Sequence, residues 1–193
     1  MAESALSRRM NEITGVGLFA GALLWLVALG SYTSTDPAWF FNSLGTDAPA
    51  NFAGRIGAFM AEASYQLMGY AAFLIPAACG VVGWHYFWCR PIESGYTKLV
   101  GAVLLVASVA PLLGLLFGAI DPAARHFQPG GAIGEALAAG FARFLNRTGA
   151  AIVLLALLVL SVILSTQFSF GMAFSGLAAR LRSQRGWLDR YRA

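Results

Sequence analysis

Few side chains in this sequence are equipped for chemistry, and their spacing gives them none to perform. The two histidines, His85 and His126, are the natural metal ligands, yet no His-x-x-x-His or Cys-x-x-Cys pair occurs anywhere in the chain. His85 stands between Trp84 and Tyr86 at the end of an apolar run, which is an interfacial setting rather than a ligand set. Cys79 and Cys89 are too few for a disulfide framework and read as small buried or interfacial residues. Nucleotide hydrolysis would need a glycine-rich loop closing on Gly-Lys-Ser/Thr, but Lys98 is the sole lysine and no such loop precedes it. Glu12 lies just before the first apolar run and Glu62 on an amphipathic stretch, so neither sits at mid-bilayer as a proton relay would require. Glu62 is expected to pair with Arg55 or to be solvated. Ser108, Ser161 and Ser165 can bond back to their own helix carbonyls. The residues predict no catalytic group, no cofactor and no metal.

What the chain offers instead is apolar length. Of its 193 residues 58% are hydrophobic and 11% charged, against about 25% charged in soluble domains. Four apolar runs, about 13–32, 67–88, 99–120 and 149–168, each reach the roughly 20 residues that a helix needs to cross a bilayer. A helix satisfies its own backbone there. Arg8, Arg9 and the small residues Ala28–Gly30 imitate a secretory signal, but the run between them exceeds the ~7–15 residues of a signal core, so it is retained as a span. Pro76 and Pro111 lie within spans two and three and predict kinks.

Orientation follows from basic residues. Arg8, Arg9, Arg90, Lys98 and five arginines of the tail lie on one side; Arg55, Arg125, Arg143 and Arg147 lie on the other. The richer side is cytoplasmic. The expected architecture is therefore all-α and integral to the membrane: a cytoplasmic N-tail 1–12, a four-helix domain 13–168 built as two in–out–in hairpins, and a basic segment 169–193. That last segment reads as a membrane-surface helix, the start of a linker, or a DNA-binding tail. Trp39, Trp84 and Trp88 fall near span ends, where indole rings favour the headgroup layer.

The two halves repeat a pattern. Each has an outer loop with an Asp–Pro turn, Asp36–Pro37 and Asp121–Pro122. Each then has a Gly-x-x-Gly pair, Gly54/Gly57 and Gly131/Gly134, opening an amphipathic stretch. The apolar stripes are Ile56, Phe59, Met60, Ala63 and Leu67 in the first and Ile133, Leu137, Phe141, Phe144 and Leu145 in the second. Arg55, Glu62 and Gln66, and Glu135, Arg143, Asn146 and Arg147, are the polar neighbours. Gly69 and Gly149 are expected to mark bends into spans two and four. The outer helix either lies in the interface plane or extends the following span. The glycines Gly54, Gly57, Gly69, Gly131, Gly134 and Gly149, with Glu62, are the candidate packing or assembly residues, because small residues let helices approach closely. Gly17-x-x-x-Gly21 and Gly114-x-x-x-Gly118 match the same packing pattern.

The stretches "SYTSTDPAWF", "NFAGRIGAFMAEASYQLMGYAAFLIP" and "PGGAIGEALAAGFARFLNRTGAAIVLL" resemble the N-terminal four-span membrane domain of the FtsK/SpoIIIE family of bacterial DNA translocases, over about Gly15 to Arg185. The resemblance implies a membrane anchor and assembly domain at the division septum of the inner membrane. It implies hexameric self-association, contact with membrane lipid and other division proteins, and DNA handling only through a downstream ATP-driven motor. No linker or motor is present in this sequence, and the family offers no catalytic residues to place on it. A small transporter or channel subunit is the alternative, and its mark would be a polar path through the spans.

Overall fold

The computed structural model describes residues 2–37, 48–89, 95–118 and 127–166. Segment 169–193, Trp39, Arg90, Arg125, His126 and the Asp121–Pro122 turn lie outside them. The described residues are helical, with no strand among them. Helix α1 spans Ala2–Gly30, α2 Gly54–Met68, α3 Leu74–Phe87, α4 Gly95–Phe117 and α5 Gly131–Thr166, with a 3-10 turn at Gly69–Phe73. Four stretches are long and apolar enough to cross a membrane: Ser7–Gly30, Gly54–Phe87, Gly95–Phe117 and Gly131–Ser165. The helices therefore begin earlier than the second and fourth apolar runs, at the Gly-x-x-Gly pairs.

Glycines set how closely these helices approach. A Cβ on Gly15 of α1 would stand 2.4 Å from the Phe87 amide nitrogen of α3, and one on Gly83 would stand 3.0 Å from the Gly15 carbonyl oxygen. A Cβ on Gly101 of α4 would stand 2.4 Å from the Ser165 nitrogen of α5. So α1 packs on α3 and α4 on α5, backbone against backbone. The contact on α1 uses Gly15; Gly17 and Gly21 face open space within the chain. Gly114 of α4 and Gly118, just past its end, lie beside the Glu135 carboxylate of α5. Pro111 is buried within α4, while Pro76 is the third residue of α3, where the missing amide costs no helical bond.

The halves match more closely in structure than in sequence. Gly54 and Gly131 open their helices at φ +67° and +65°. The Gly54 amide donates to the Asn51 carbonyl at 2.8 Å, and the Gly131 amide to the Gln128 carbonyl at 2.9 Å. One turn on, Gly57 donates to Ala53 at 3.2 Å and Gly134 to Gly130 at 3.1 Å. Twelve residues beyond Gly57, the first unit breaks at Gly69 with φ 57°. Twelve residues beyond Gly134, the second breaks at Asn146 with φ 59° and ψ 166°. The bend expected at Gly149 is thus made by Asn146, and every matched pair is 77 residues apart. Asparagine tolerates positive φ better than most residues, and the Asn146 Oδ1 accepts the next amide, of Arg147, at 2.7 Å.

The two breaks share φ but not ψ, which is −139° at Gly69 and 166° at Asn146, and they differ in tolerance. Asn146 is exposed, whereas a Cβ on Gly69 would fall 2.1 Å from the Pro129 carbonyl oxygen. Asn146→Gly should raise the melting temperature of the detergent-solubilised protein, because φ 59° with ψ 166° is a conformation that glycine enters most freely. Asn146→Val should lower stability by about 1–3 kcal/mol, the cost of holding a β-branched residue at φ 59° and ψ 166°. Gly69→Asn should be worse than either. Equal melting points for the three variants would show that these breaks are not under conformational constraint.

Candidate functional site at the junction of the halves

The C-terminal end of α1 is fastened by polar groups that local sequence patterns do not reveal. Asp36 is buried, and its carboxylate accepts the Ala50 amide at 2.7 Å and the Asn51 amide at 3.1 Å. Asn51, also buried, donates its Nδ2 to the Ala28 carbonyl at 2.8 Å and accepts the Ala53 amide on its Oδ1 at 3.0 Å. Ser31 Oγ donates to the Val27 carbonyl at 2.7 Å and accepts the Phe52 amide at 3.0 Å. The last carbonyls of a helix have no intrahelical partner; Asn51 supplies one and carries the chain into α2.

Helix α2 turns its small residues inward. Gly57, Ala58, Ala61, Ser64 and Tyr65 are buried. A Cβ on Gly57 would meet the Ala53 Cβ at 2.3 Å and the Asn51 Oδ1 at 2.5 Å. The Trp25 indole donates to Ser64 Oγ at 3.1 Å, and the Tyr65 hydroxyl donates to the Leu29 carbonyl at 3.0 Å. The apolar stripe read from the sequence is a different face: Ile56 and Leu67 are exposed.

The two halves meet where α2 ends. The Tyr70 amide donates to the Pro129 carbonyl at 3.0 Å. A Cβ on Gly131 would lie 2.4 Å from the Leu67 carbonyl carbon and the Met68 nitrogen. Beside this backbone contact the Tyr65 and Phe127 rings stack at 4.4 Å, with Tyr32 tilted on Tyr65 at 4.8 Å and Tyr70 edge-on to Phe127 at 5.3 Å. Aromatic pairs in such geometry add about 0.5–1.5 kcal/mol each beyond their burial. Gly134 completes the joint against Ala110 of α4, where a Cβ would stand 2.7 Å from the Ala110 carbonyl.

Of the residues singled out in sequence, Gly57, Gly69, Gly131 and Gly134 are therefore close contacts within this chain. Gly54 has open space around it and needs glycine only for its positive φ. Gly149 meets only the Leu145 Cβ, at 3.2 Å. Glu62 accepts Gln66 Nε2 at 3.0 Å and makes no ion pair with Arg55. It lies near Tyr32, beyond the Gly30 end of the first span; burial first, then the Glu62 carboxylate, push the Tyr32 phenol above its ordinary range. Glu135 turns toward α4 rather than joining the exposed polar neighbours, and Arg147 donates to the Leu115 carbonyl near the end of α4. Asn51, Tyr65, Phe127 and Asn146 are what sequence reading missed as fasteners. The 12-residue spacing from Gly134 was the available signal for Asn146.

This arrangement positions helices. Ser108 Oγ donates to Leu105 and Ser161 Oγ to Leu158, each within its own helix. Among the described residues no three His, Cys, Asp or Glu side chains converge as a metal site.

Comparison with known proteins gives one consistent result. The family description "4TM region of DNA translocase FtsK/SpoIIIE" matches residues 7–178. The chain is 34% identical over 174 residues to the DNA translocase FtsK of Pseudomonas putida, covering 86% of this chain and 20% of that protein. It is 32% identical over 174 residues to the FtsK of Pseudomonas aeruginosa, covering 86% and 21%. It is 30% identical over 159 residues to the FtsK of Rickettsia prowazekii, covering 82% and 20%. The chain thus spans about a fifth of the length of these relatives. No solved structure matches it.

Proposed function

The chain belongs to the FtsK/SpoIIIE family of DNA translocases as its four-span membrane region, and from that premise we propose that it anchors and assembles a cell-division motor at the septum of the inner membrane. In this reading the spans form two in–out–in hairpins with both termini cytoplasmic and the outer helices α2 and 131–145 on the periplasmic side. The domain self-associates as a hexamer and meets other division proteins, while ATP turnover and DNA movement belong to a downstream motor. The observation that carries the reading is the family match over residues 7–178. The packing is in keeping with it. Glycines and buried polar groups join helices, and the buried span serines Ser108 and Ser161 donate to their own helix carbonyls, which accounts for them without a transport path.

The test is a C-terminal fusion to a fluorescent protein that matures only in the cytoplasm. The nine-to-four distribution of Lys and Arg predicts a fluorescent fusion, and the anchoring role predicts that its signal concentrates at midcell. A fusion that inserts in the membrane but stays dark would overturn the orientation. A bright signal spread evenly around the envelope would overturn the septal role of this region.

A further inference from the structure

The outer helices carry three faces where an ordinary surface helix carries two. At 3.6 residues per turn, Gly57, Ala61, Ser64 and Tyr65 of α2 share one side, and this is the side buried against α1. Ile56 and Leu67 share a second side and are 72% and 46% exposed. Arg55, Glu62 and Gln66 share the third. Residues 131–145 repeat the arrangement at the same 77-residue offset. Gly134 and Ala138 are buried, Ile133 and Phe144 are 46% and 86% exposed, and Arg143 stands exposed on the remaining side. Ile56 matches Ile133, Leu67 matches Phe144, and Gln66 matches Arg143.

Contacts along α2 fix its direction. Gly57 packs on Ala28, and the Tyr65 hydroxyl reaches the Leu29 carbonyl. With the Trp25 indole on Ser64, eight residues of α2, about 12 Å of helix, thus meet little more than one turn of α1, Trp25 to Leu29, about 6 Å along its axis. A helix stacked along α1 would spread those contacts over two turns, so α2 lies across the end of α1. The positive-φ breaks at Gly69 and Asn146 are what such a course requires, because a helix that simply prolonged the following span would need no break.

We infer that α2 and residues 131–145 lie flat in the outer boundary layer of the bilayer, with lipid as the occupant of their exposed apolar sides. Ile56, Leu67, Ile133, Leu137 and Phe144 sit among acyl chains, and Arg55 and Arg143 stand at the level of the headgroup phosphates. A helix that lies across a span end, with an apolar side next to a polar side that carries an arginine, has the form of an interfacial helix. Here its third, small-residue side docks it on the bundle. The inference deepens the anchoring role and rests on that reading only for which leaflet is occupied. It makes the two helices a collar that fixes the depth and tilt of the domain in the membrane.

Single nitroxide labels test it in the full chain reconstituted in phosphatidylethanolamine–phosphatidylglycerol vesicles, with Cys79 and Cys89 replaced by alanine. Labels at 56, 133 and 144 should be relaxed by dissolved oxygen several-fold more than by a water-soluble nickel complex. Labels at 55, 66 and 143 should show the reverse preference, and labels at 61 and 138 should respond to neither. Nickel-dominated relaxation at 56, 133 and 144 would overturn the inference. So would protection from both reagents there, with spin–spin broadening that disappears on dilution into excess lipid, because a second copy would then cover these sides. An Arg55→Cys variant treated in intact cells with a membrane-impermeant maleimide separates this inference from the orientation. Labelling only after lysis would overturn the periplasmic assignment while the depth pattern still establishes a flat interfacial helix.

Discussion

Gly131→Val is expected to lower the melting temperature of the domain by roughly 10 °C and to uncouple its two halves. Two costs add at this position. The backbone is held at φ +65°, where a β-branched residue costs about 1–2 kcal/mol. The new Cβ would also stand 2.4–2.5 Å from the backbone atoms of Leu67, Met68 and Gly69, none of which can rotate away. Overpacking of this kind costs about 1–3 kcal/mol, and in a chain of this size each kcal/mol corresponds to about 2–4 °C. Gly140→Ala is the control. Gly140 is helical, has nothing within 4 Å of the added Cβ, and should gain up to about 1 kcal/mol from the better helix former. Thermal unfolding in detergent, followed by circular dichroism and by size exclusion after heating, reads both. The Tyr65–Phe127 stack gives a second signal, because a cysteine pair placed there should be joined by a bifunctional thiol reagent of about 10 Å reach in the parent and fail to be joined in Gly131→Val. Equal melting points for Gly131→Val and Gly140→Ala would remove the backbone contact as the joint between halves.

The second large effect is expected at Asp36. Its carboxylate is the partner of two backbone amides, those of Ala50 and Asn51, and it is buried. Hydrogen bonds to a charged group contribute about 1.5–3 kcal/mol each, and a buried donor left alone costs a comparable amount. Asp36→Ala should therefore destabilise the domain by about 3–5 kcal/mol. Asp36→Asn, which keeps one acceptor, should fall between it and the parent. The loss should appear first at α2, because Asn51 is held by Asp36 and in turn holds the end of α1 through Ala28. Limited proteolysis of vesicle-embedded protein should then cut in residues 48–53 well before the bundle dissociates. A uniform loss of all helices with no early cut would show that the Asp36 network is not the local fastener of α2.

The membrane character of the chain and its four spans were legible in the sequence, because both depend on local quantities. An apolar run of about 20 residues has one stable solution in lipid, a helix that satisfies its own backbone. The Gly-x-x-Gly pairs were legible as a repeated pattern, but not which of their glycines are crowded: Gly57, Gly131 and Gly134 stand in close contacts, whereas Gly54 has open space around it. Tertiary structure decided which face of each outer helix is used. The sequence shows the Ile56/Leu67 stripe as the apolar side, yet in α2 the small residues Gly57, Ala58, Ala61 and Ser64 are buried and Ile56 and Leu67 are exposed, because small residues allow the closest approach between helices. The position of the second break was likewise decided by conformation. Gly149 is the glycine, but the break falls at Asn146, at φ 59° and ψ 166°, 12 residues after Gly134, and residue type alone would have assigned it to the glycine. The Asp36–Asn51–Ala28 bonds and the Tyr65–Phe127 stack join residues far apart in the chain. No periodicity records such pairs, because they exist only once the helices have been placed side by side.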